Sequence, residues 1–221
     1  MTNPQTVPAH TRLPDQSRIV DVKNLTVQKM GQVICNVSAL TVAKGERIGV
    51  TGSNGSGKTT LLRVLAGLEK DFTGVCEIAT APAERVFVHQ SPFLFSGTVL
   101  DNVEYGLRAR SLSKSDRKEQ AAVWLKRLGL CNLANRSTRS LSGGEGRRTA
   151  IARACVLQPR LLLLDEPLAD LDPAGIECVQ QSLNALPNTT ILLSSPTPLP
   201  DGFVDRTITP GPSSSHEQLR N

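Results

Sequence analysis

The run Gly52-Ser-Asn-Gly-Ser-Gly-Lys-Thr59 constrains this chain more than any other feature, because it dictates the elements on either side of it. It fits the pattern G-x-x-x-x-G-K-[ST] in full, a loop whose backbone amides close around phosphate. Its glycines reach backbone angles closed to other residues, so successive N–H groups can turn inward on an anion. Such a loop belongs between a strand and a helix whose N-terminus points at the bound charge. Both are legible. Arg47-Ile-Gly-Val50 reads as a short buried strand. Thr59 to Leu68 reads as a helix with Leu61, Leu62, Val64 and Leu65 on its apolar side. The candidate nucleotide-binding residues are Gly52, Ser53, Asn54, Gly55, Ser56, Gly57, Lys58, Thr59 and Thr60. Lys58 brings a mobile positive charge to the outer phosphates, and the Thr59 hydroxyl is a candidate Mg²⁺ ligand.

A second constraint lies a hundred residues on. Leu161-Leu-Leu-Leu164 is an uninterrupted apolar run, as expected of a central parallel strand buried on both faces. Asp165 and Glu166 follow where that strand ends, and ligands of open α/β sheets bind beyond the carboxyl ends of strands. Asp165 is the natural metal partner, and Glu166 is placed to polarise an attacking water as a general base. Between the two motifs stands Leu141-Ser-Gly-Gly-Glu145, opening a stretch of helical apolar spacing. Ser142 can supply a hydroxyl at that helix start, while Gly143 and Gly144 let a phosphate of another molecule approach the backbone.

The ordered set of phosphate loop, LSGG segment and Leu-Leu-Leu-Leu-Asp-Glu-Pro resembles the ATP-binding cassette (ABC) ATPases. Glu145, Arg148 and Arg153 match the acidic or amide residue and basic stretch that follow LSGG in that family. Gln90, after the apolar run Arg85-Val-Phe-Val88, resembles the Q-loop glutamine that touches Mg²⁺ and the attacking water. Leu168-Ala-Asp-Leu-Asp172 resembles the D-loop, which crosses the dimer interface. The resemblance runs from about Ile19 to about Thr209.

It implies an α/β P-loop NTPase with a mainly parallel sheet core, an antiparallel β subdomain and an inserted α-helical subdomain. It also implies an ATPase using ATP and Mg²⁺, with Glu166 and Gln90 catalytic and Thr59, Gln90 and Asp165 on the metal. Two copies, or one copy and a paralogous ATPase subunit, would pair head to tail. Ser142, Gly143, Gly144 and Asp172 would then reach nucleotide held by the other subunit. The expected partners are membrane-spanning permease subunits and a solute-binding protein, with the chain cytoplasmic and peripherally attached to the inner face of the membrane. Ser91 to Val103 is the expected docking groove for the permease. Gly97 to Leu107 is similar to the corresponding segment of bacterial importer ATPases, including those for tungstate, molybdate or phosphate. Many such subunits carry a C-terminal regulatory domain, which this chain is expected to lack.

Two departures from the family pattern bear on mechanism. A histidine normally follows the strand after the D-loop helix and contacts the γ-phosphate. Here that strand is Thr189-Thr-Ile-Leu-Leu193, and the position falls at or beside Pro196. Proline has neither a side-chain donor nor an N–H. The three histidines are His10, His89 and His216, and His89 is expected to pack as a core or edge residue of the strand before Gln90. Ser194, Ser195 or Thr197 could partly substitute through a hydroxyl. The alternative function is therefore an ATP-binding regulatory module with weak or no hydrolysis. The second departure is the missing aromatic for the adenine ring, since no Phe, Trp or Tyr precedes Phe72. Met30 stands near the expected place, either as a softer contact through its sulfur or as a surface residue.

Length and composition agree with this reading. The 221 residues suit one α/β domain with an insertion. The expected boundaries are a disordered tail over 1–17, the ATPase domain over 18–209 with its helical subdomain at about 91–140, and a disordered tail over 210–221. Within the insertion, Ser113-Lys-Ser-Asp116 is a helix start, Ala121, Ala122, Trp124, Leu125 and Leu128 are its apolar face, and Gly129 is its stop. The net charge of +5 comes from spread basic residues without interleaved aromatics, which gives no support to nucleic-acid binding. No apolar stretch approaches a membrane span or the core of a secretion signal. The cysteines at 35, 76, 131, 155 and 178 lack metal-like spacing and read as reduced, mostly buried thiols. A GTPase is excluded by the lack of an Asn-Lys-x-Asp motif. Soluble ABC proteins of translation or repair would need a second cassette or a long coiled-coil insertion.

Overall fold

The computed structural model describes residues 17–110 and 112–211. The expected disorder of both tails concerns residues that lie, apart from Ser17, Pro210 and Gly211, outside the described ones, as do His10 and His216. The two exceptions at the C-terminal end are tied down: Pro210 is buried, and the Gly211 amide donates to the Asn36 carbonyl at 3.2 Å.

β1 (Arg18–Lys29) and β2 (Gln32–Ala43) form an antiparallel hairpin, turned at Met30 and Gly31, which both hold positive φ. Such primed turns match the natural twist of the strands they join. β4 (Thr73–Ile78) pairs antiparallel with the other edge of β1, giving a three-stranded sheet in the order β2-β1-β4.

The second sheet is parallel throughout. Its order is β5 (Arg85–Val88), β6 (Leu161–Leu164), β7 (Thr190–Ser195), β3 (Arg47–Thr51) and β8 (Arg206–Ile208). All four leucines of β6 are fully buried, and their alternation divides the core in two. Leu161 and Leu163 pack with α1 (Lys58–Leu65) and the antiparallel sheet, while Leu162 and Leu164 pack toward the helices on the opposite face. Successive strand residues point to opposite faces, so a run with no polar member must have apolar cover on both sides.

That second cover comes from α2 (Val99–Glu104), α3 (Lys114–Arg127), α4 (Gly143–Cys155) and α5 (Pro173–Asn184). Ser113 caps α3 by accepting from the Asp116 amide at 3.1 Å, and Gly129 turns the chain away at φ 66°. Ala121, Trp124, Leu125 and Leu128 are buried as the spacing predicts, but Ala122 is exposed, one position off the apolar stripe. α1 also ends earlier than its pattern suggests. It stops at Leu65, and Leu68 is exposed beyond the turn made by Gly67 at φ 77°.

Candidate functional site

The glycine loop leaves β3 and enters α1 through Gly57, whose φ of 91° favours glycine. A Cβ there would stand 2.6 Å from the Ile34 carbonyl, so the strand β2 itself enforces the residue. The helix that follows has no side-chain cap and no acidic residue in its first turn. Its leading amides are left for an anion, and its dipole favours one. Lys58, nearly buried, donates from Nζ to the Gly52 and Ser53 carbonyls at 2.8 and 2.9 Å. The Ser56 hydroxyl is buried beside the loop with no hydrogen-bond partner. An orphaned donor in a loop of inward amides suits an oxyanion ligand.

A cavity of about 310 Å³ opens over this loop. Asn54, Gly55, Gly57, Lys58, Thr59 and Thr60 line one side, Gln90 and Glu166 another, and Ile34 supplies an apolar wall. Gly52, Ser53 and Ser56 belong to the same loop without lining the cavity. Thr59 Oγ1 reaches Asp165 at 2.9–3.0 Å from both carboxylate oxygens. Asp165 is buried at the end of β6 and also accepts from the Ser194 hydroxyl at 2.7 Å. Glu166 holds the left-handed φ of 47°, which non-glycine residues keep only where their surroundings over-determine it. Its amide donates to Ser194 Oγ at 2.9 Å, and its Oε2 accepts from Gln90 Nε2 at 2.8 Å.

The hydroxyls at and just after the end of β7 that could stand in for the histidine have partners within the chain. Ser194 is committed to Asp165 and the Glu166 amide, and Ser195 Oγ donates to the Thr197 carbonyl at 2.6 Å. Pro196 between them is exposed. The expected placement of His89 is corrected: it is exposed, lies past the end of β5, and accepts on Nδ1 from the Ser91 amide at 3.0 Å. The strand stops at Val88 because the chain there peels off the sheet toward Gln90. Met30, fully exposed on the hairpin turn, is not part of the cavity wall.

Ser142, Gly143 and Gly144 lie outside the cavity, at the start of α4. Ser142 Oγ accepts from the Glu145 amide, and the Glu145 carboxylate accepts from the Ser142 amide, a reciprocal cap. The Ser142 N–H holds the Glu145 carboxyl below its usual range. Nothing lies within 4 Å of a Cβ built at Gly143, so this tip faces open space. Asp172 is likewise outside the cavity, and its carboxylate caps α5 by accepting from the Gly175 amide at 2.8 Å.

Beside these, the geometry adds residues that the motifs do not mark. Arg147 of α4 donates to the carbonyls of Gln90 and Glu166, and Ser194 bridges the two carboxylate residues. In the sequence Arg147 is one of several basic residues after the LSGG segment with nothing to single it out, and Ser194 is marked only as a hydroxyl near Pro196. A separate cavity of about 460 Å³ lies on the far side of Gln90, walled by Phe93, Phe95, Tyr105 and Arg153. Phe93 and Tyr105 are exposed, and Arg153 stacks over the Phe95 ring at 5.1 Å.

A phosphate loop and helix start set against two carboxylates at the end of a neighbouring parallel strand define a P-loop nucleotide hydrolase. Comparison with known proteins narrows that class. Residues 35–169 match the ABC transporter family. The tungstate uptake system ATP-binding protein TupC of Peptoclostridium acidaminophilum is 34% identical over 182 residues, covering 79% of this chain and 85% of that one. The aliphatic sulfonates import ATP-binding protein SsuB 1 of Pseudomonas fluorescens is 42% identical over 164 residues, 72% of this chain. The chain spans 60% of that relative and 40–51% of the iron(III) and spermidine/putrescine import relatives. Among solved structures, a dimeric ATP-binding cassette in a post-hydrolysis state bound to ADP and Pi superposes with a TM-score of 0.76 at 29% identity, covering 86% of this chain and 94% of that one. cbiO1 from Clostridium perfringens, part of a cbiONQ transporter complex, gives 0.76 at 26% identity, with 88% and 85% covered. This chain belongs to the ABC transporter family. It is an ATP-binding, ATP-hydrolysing member with the P-loop fold, an antiparallel sheet and a helical face.

Proposed function

We propose that this chain is the motor subunit of an importer, working as a head-to-tail pair beneath separate membrane-spanning subunits. One observation carries the reading. Residues of the cradle, Gln90 and Glu166 line one cavity, with Asp165 behind it on the Thr59 hydroxyl, whereas Ser142–Gly144 sit away from that cavity and Gly143 faces open space. A surface of that kind serves nucleotide held by a second subunit better than its own. Asp172 and the rest of the Leu168–Asp172 loop would cross between the subunits.

Thr59 and Asp165 form an oxygen donor set suited to Mg²⁺, which takes one or two protein oxygens plus substrate phosphates rather than a full protein cage. Among the described residues no group of three or more His, Cys, Asp or Glu forms such a cage. The ion would neutralise charge on the outer phosphates. Lys58 and the α1 amides bind the phosphates, Gln90 orients the Glu166 carboxylate, and Glu166 takes a proton from water attacking in line. Ser194 holds both carboxylate residues in register. The import ATP-binding names among the relatives favour this motor over a regulatory ATP-binding module.

The helices of about 91–140 are read as the inserted subdomain, and the aromatic cavity beside Phe93 and Tyr105 as the permease docking groove. No helix among the described residues is long and apolar enough to cross a membrane. Peripheral attachment to the inner membrane face through permease subunits, with a solute-binding protein outside, completes the assembly. For the cargo, an oxyanion is favoured, since the tungstate uptake relative is spanned over 85% of its length.

The decisive experiment is Glu166→Gln. It is expected to keep Mg-ATP binding, stop turnover and let an ATP-dependent dimer accumulate on size-exclusion chromatography. Hydrolysis at the wild-type rate would remove Glu166 from the role of base.

A further inference from the structure

One buried cation has no place in the hydrolytic scheme. Arg147 lies one turn past Ser142 on α4, with only 9% of its surface exposed. Its Nη1 donates to the carbonyls of Glu166 and Ala169 at 3.0 and 2.7 Å. Its Nη2 donates to the Gln90 carbonyl at 3.0 Å and to Asp170 Oδ2 at 3.3 Å. Only Nε is unpartnered. These acceptors lie on two separate segments, the one after β5 and the one after β6. Burial of a charge is tolerated where its donors are satisfied, and a planar fork can reach four acceptors where an ammonium or an amide cannot.

The other arginines of α4 do not reach Glu166 or Gln90. Arg148 donates to Leu128, and Arg153 to Phe93 and Asn102. Arg147 alone among these three crosses to the hydrolytic residues. It also grips a loop that resists its own conformation, because Glu166 and Asp170 both hold left-handed φ, at 47° and 59°. The first turn of α4 presses on the same loop, and a Cβ at Gly144 would stand 3.0 Å from the Asp170 carbonyl.

We infer that Arg147 is a positioning residue that couples the nucleotide cavity of its own chain to the Ser142–Gly144 tip offered to the other. The guanidinium ties the backbones of Gln90 and Glu166 to the helix that begins at Ser142. A shift of either residue on nucleotide binding therefore moves the tip as one body. This rests on the reading of Glu166 and Ser142 above.

The test uses the Glu166→Gln background, where ATP-driven dimerisation is the readout. Adding Arg147→Gln should leave ATP affinity of the monomer within about twofold while raising the protein concentration needed for the ATP dimer by roughly tenfold or more, a common size for coupling between sites. Arg147→Lys should fail in the same way, since it keeps the charge and loses the fork. In the Glu166 background kcat should fall and KM for ATP should hardly move. Dimerisation equal to that of Glu166→Gln alone, or full function in Arg147→Lys, overturns the inference and leaves the hydrolytic reading intact. Loss of ATP affinity together with the thermal transition would reduce Arg147 to a structural residue and overturn it too. Turnover by Glu166→Gln itself would sink the hydrolytic reading instead. Should neither Arg147 variant fold, Asp170→Ala removes one acceptor whose side chain is 74% exposed. It should weaken the ATP dimer with binding intact, and an unchanged dimer overturns the inference.

Discussion

α1 and α4 both start beside glycines, and their first turns are finished in opposite ways. At α1 the capping position is Gly57, no side chain covers the leading amides, and no acid sits in the first turn. At α4 the capping position is Ser142, Glu145 closes a reciprocal cap, and the acid sits on the dipole. The first start is unsatisfied by its own chain and therefore built to hold an anion. The second is self-sufficient, so any phosphate it meets must be brought by another body and must displace or extend an existing cap. Burial follows the same division. Lys58 and Ser56 are buried within the cradle, whereas Ser142 and Gly143 are exposed with open space before them.

The comparison breaks most sharply through a pair of variants. Lys58→Ala is expected to abolish ATP binding by calorimetry, because a cradle of amides keeps no mobile charge for the outer phosphates. Ser142→Arg should leave monomer binding within about twofold and abolish ATP-driven dimerisation, since a surface change away from the cavity touches binding little. Equal loss of binding in both would show that the two helix starts serve one site.

A smaller effect separates the hydroxyls behind the carboxylates. Ser194→Ala strips a buried partner from Asp165 and leaves the Glu166 N–H unsatisfied, which costs about 1–3 kcal/mol. At roughly 2–4 °C per kcal/mol for a domain of this size, the melting temperature should drop by about 2–12 °C. Ser195→Ala loses a bond confined to its own turn and should cost far less. A larger loss for Ser195 than for Ser194 would mean that the loop at Pro196, rather than the strand end, supports the site.

The smallest effect concerns the base. With Ile34 as the apolar wall and no aromatic before Phe72, ATP and GTP should bind within about tenfold, or ~1.4 kcal/mol, of one another. Met30→Ala should leave both affinities nearly unchanged if the exposed methionine stays in solvent. Strong native preference for ATP would mean that another element reads the ring.

The thiols give the same lesson in miniature. The sequence reads all five as mostly buried, but only Cys35 and Cys155 are buried, Cys76 and Cys178 are half-buried, and Cys131 is exposed. Burial pushes the Cys35 and Cys155 thiols up to about 11 and about 12. Cysteine is small and weakly polar enough to sit on either side of a helix, so composition cannot assign its side.

What the sequence by itself determined is whatever local chemistry forces. Glycines with Lys-Thr favour a phosphate loop between β3 and α1, and four leucines before Asp165-Glu166 favour a strand covered on both faces. Ser142 with Glu145 three residues on can only cap a helix. These rules act within a few residues, so they were legible without neighbours. Tertiary structure decided everything that needs two distant segments to meet. Ser194 became the bridge between Asp165 and Glu166 because β7 pairs with β6 in register. Arg147, one basic residue in a run, became a bracket because α4 packs where the Gln90 and Glu166 segments come together. His89 left the core because the chain peels off the sheet one residue before it. Each of these depends on register and packing between elements far apart in the chain, which periodicity along one element does not encode.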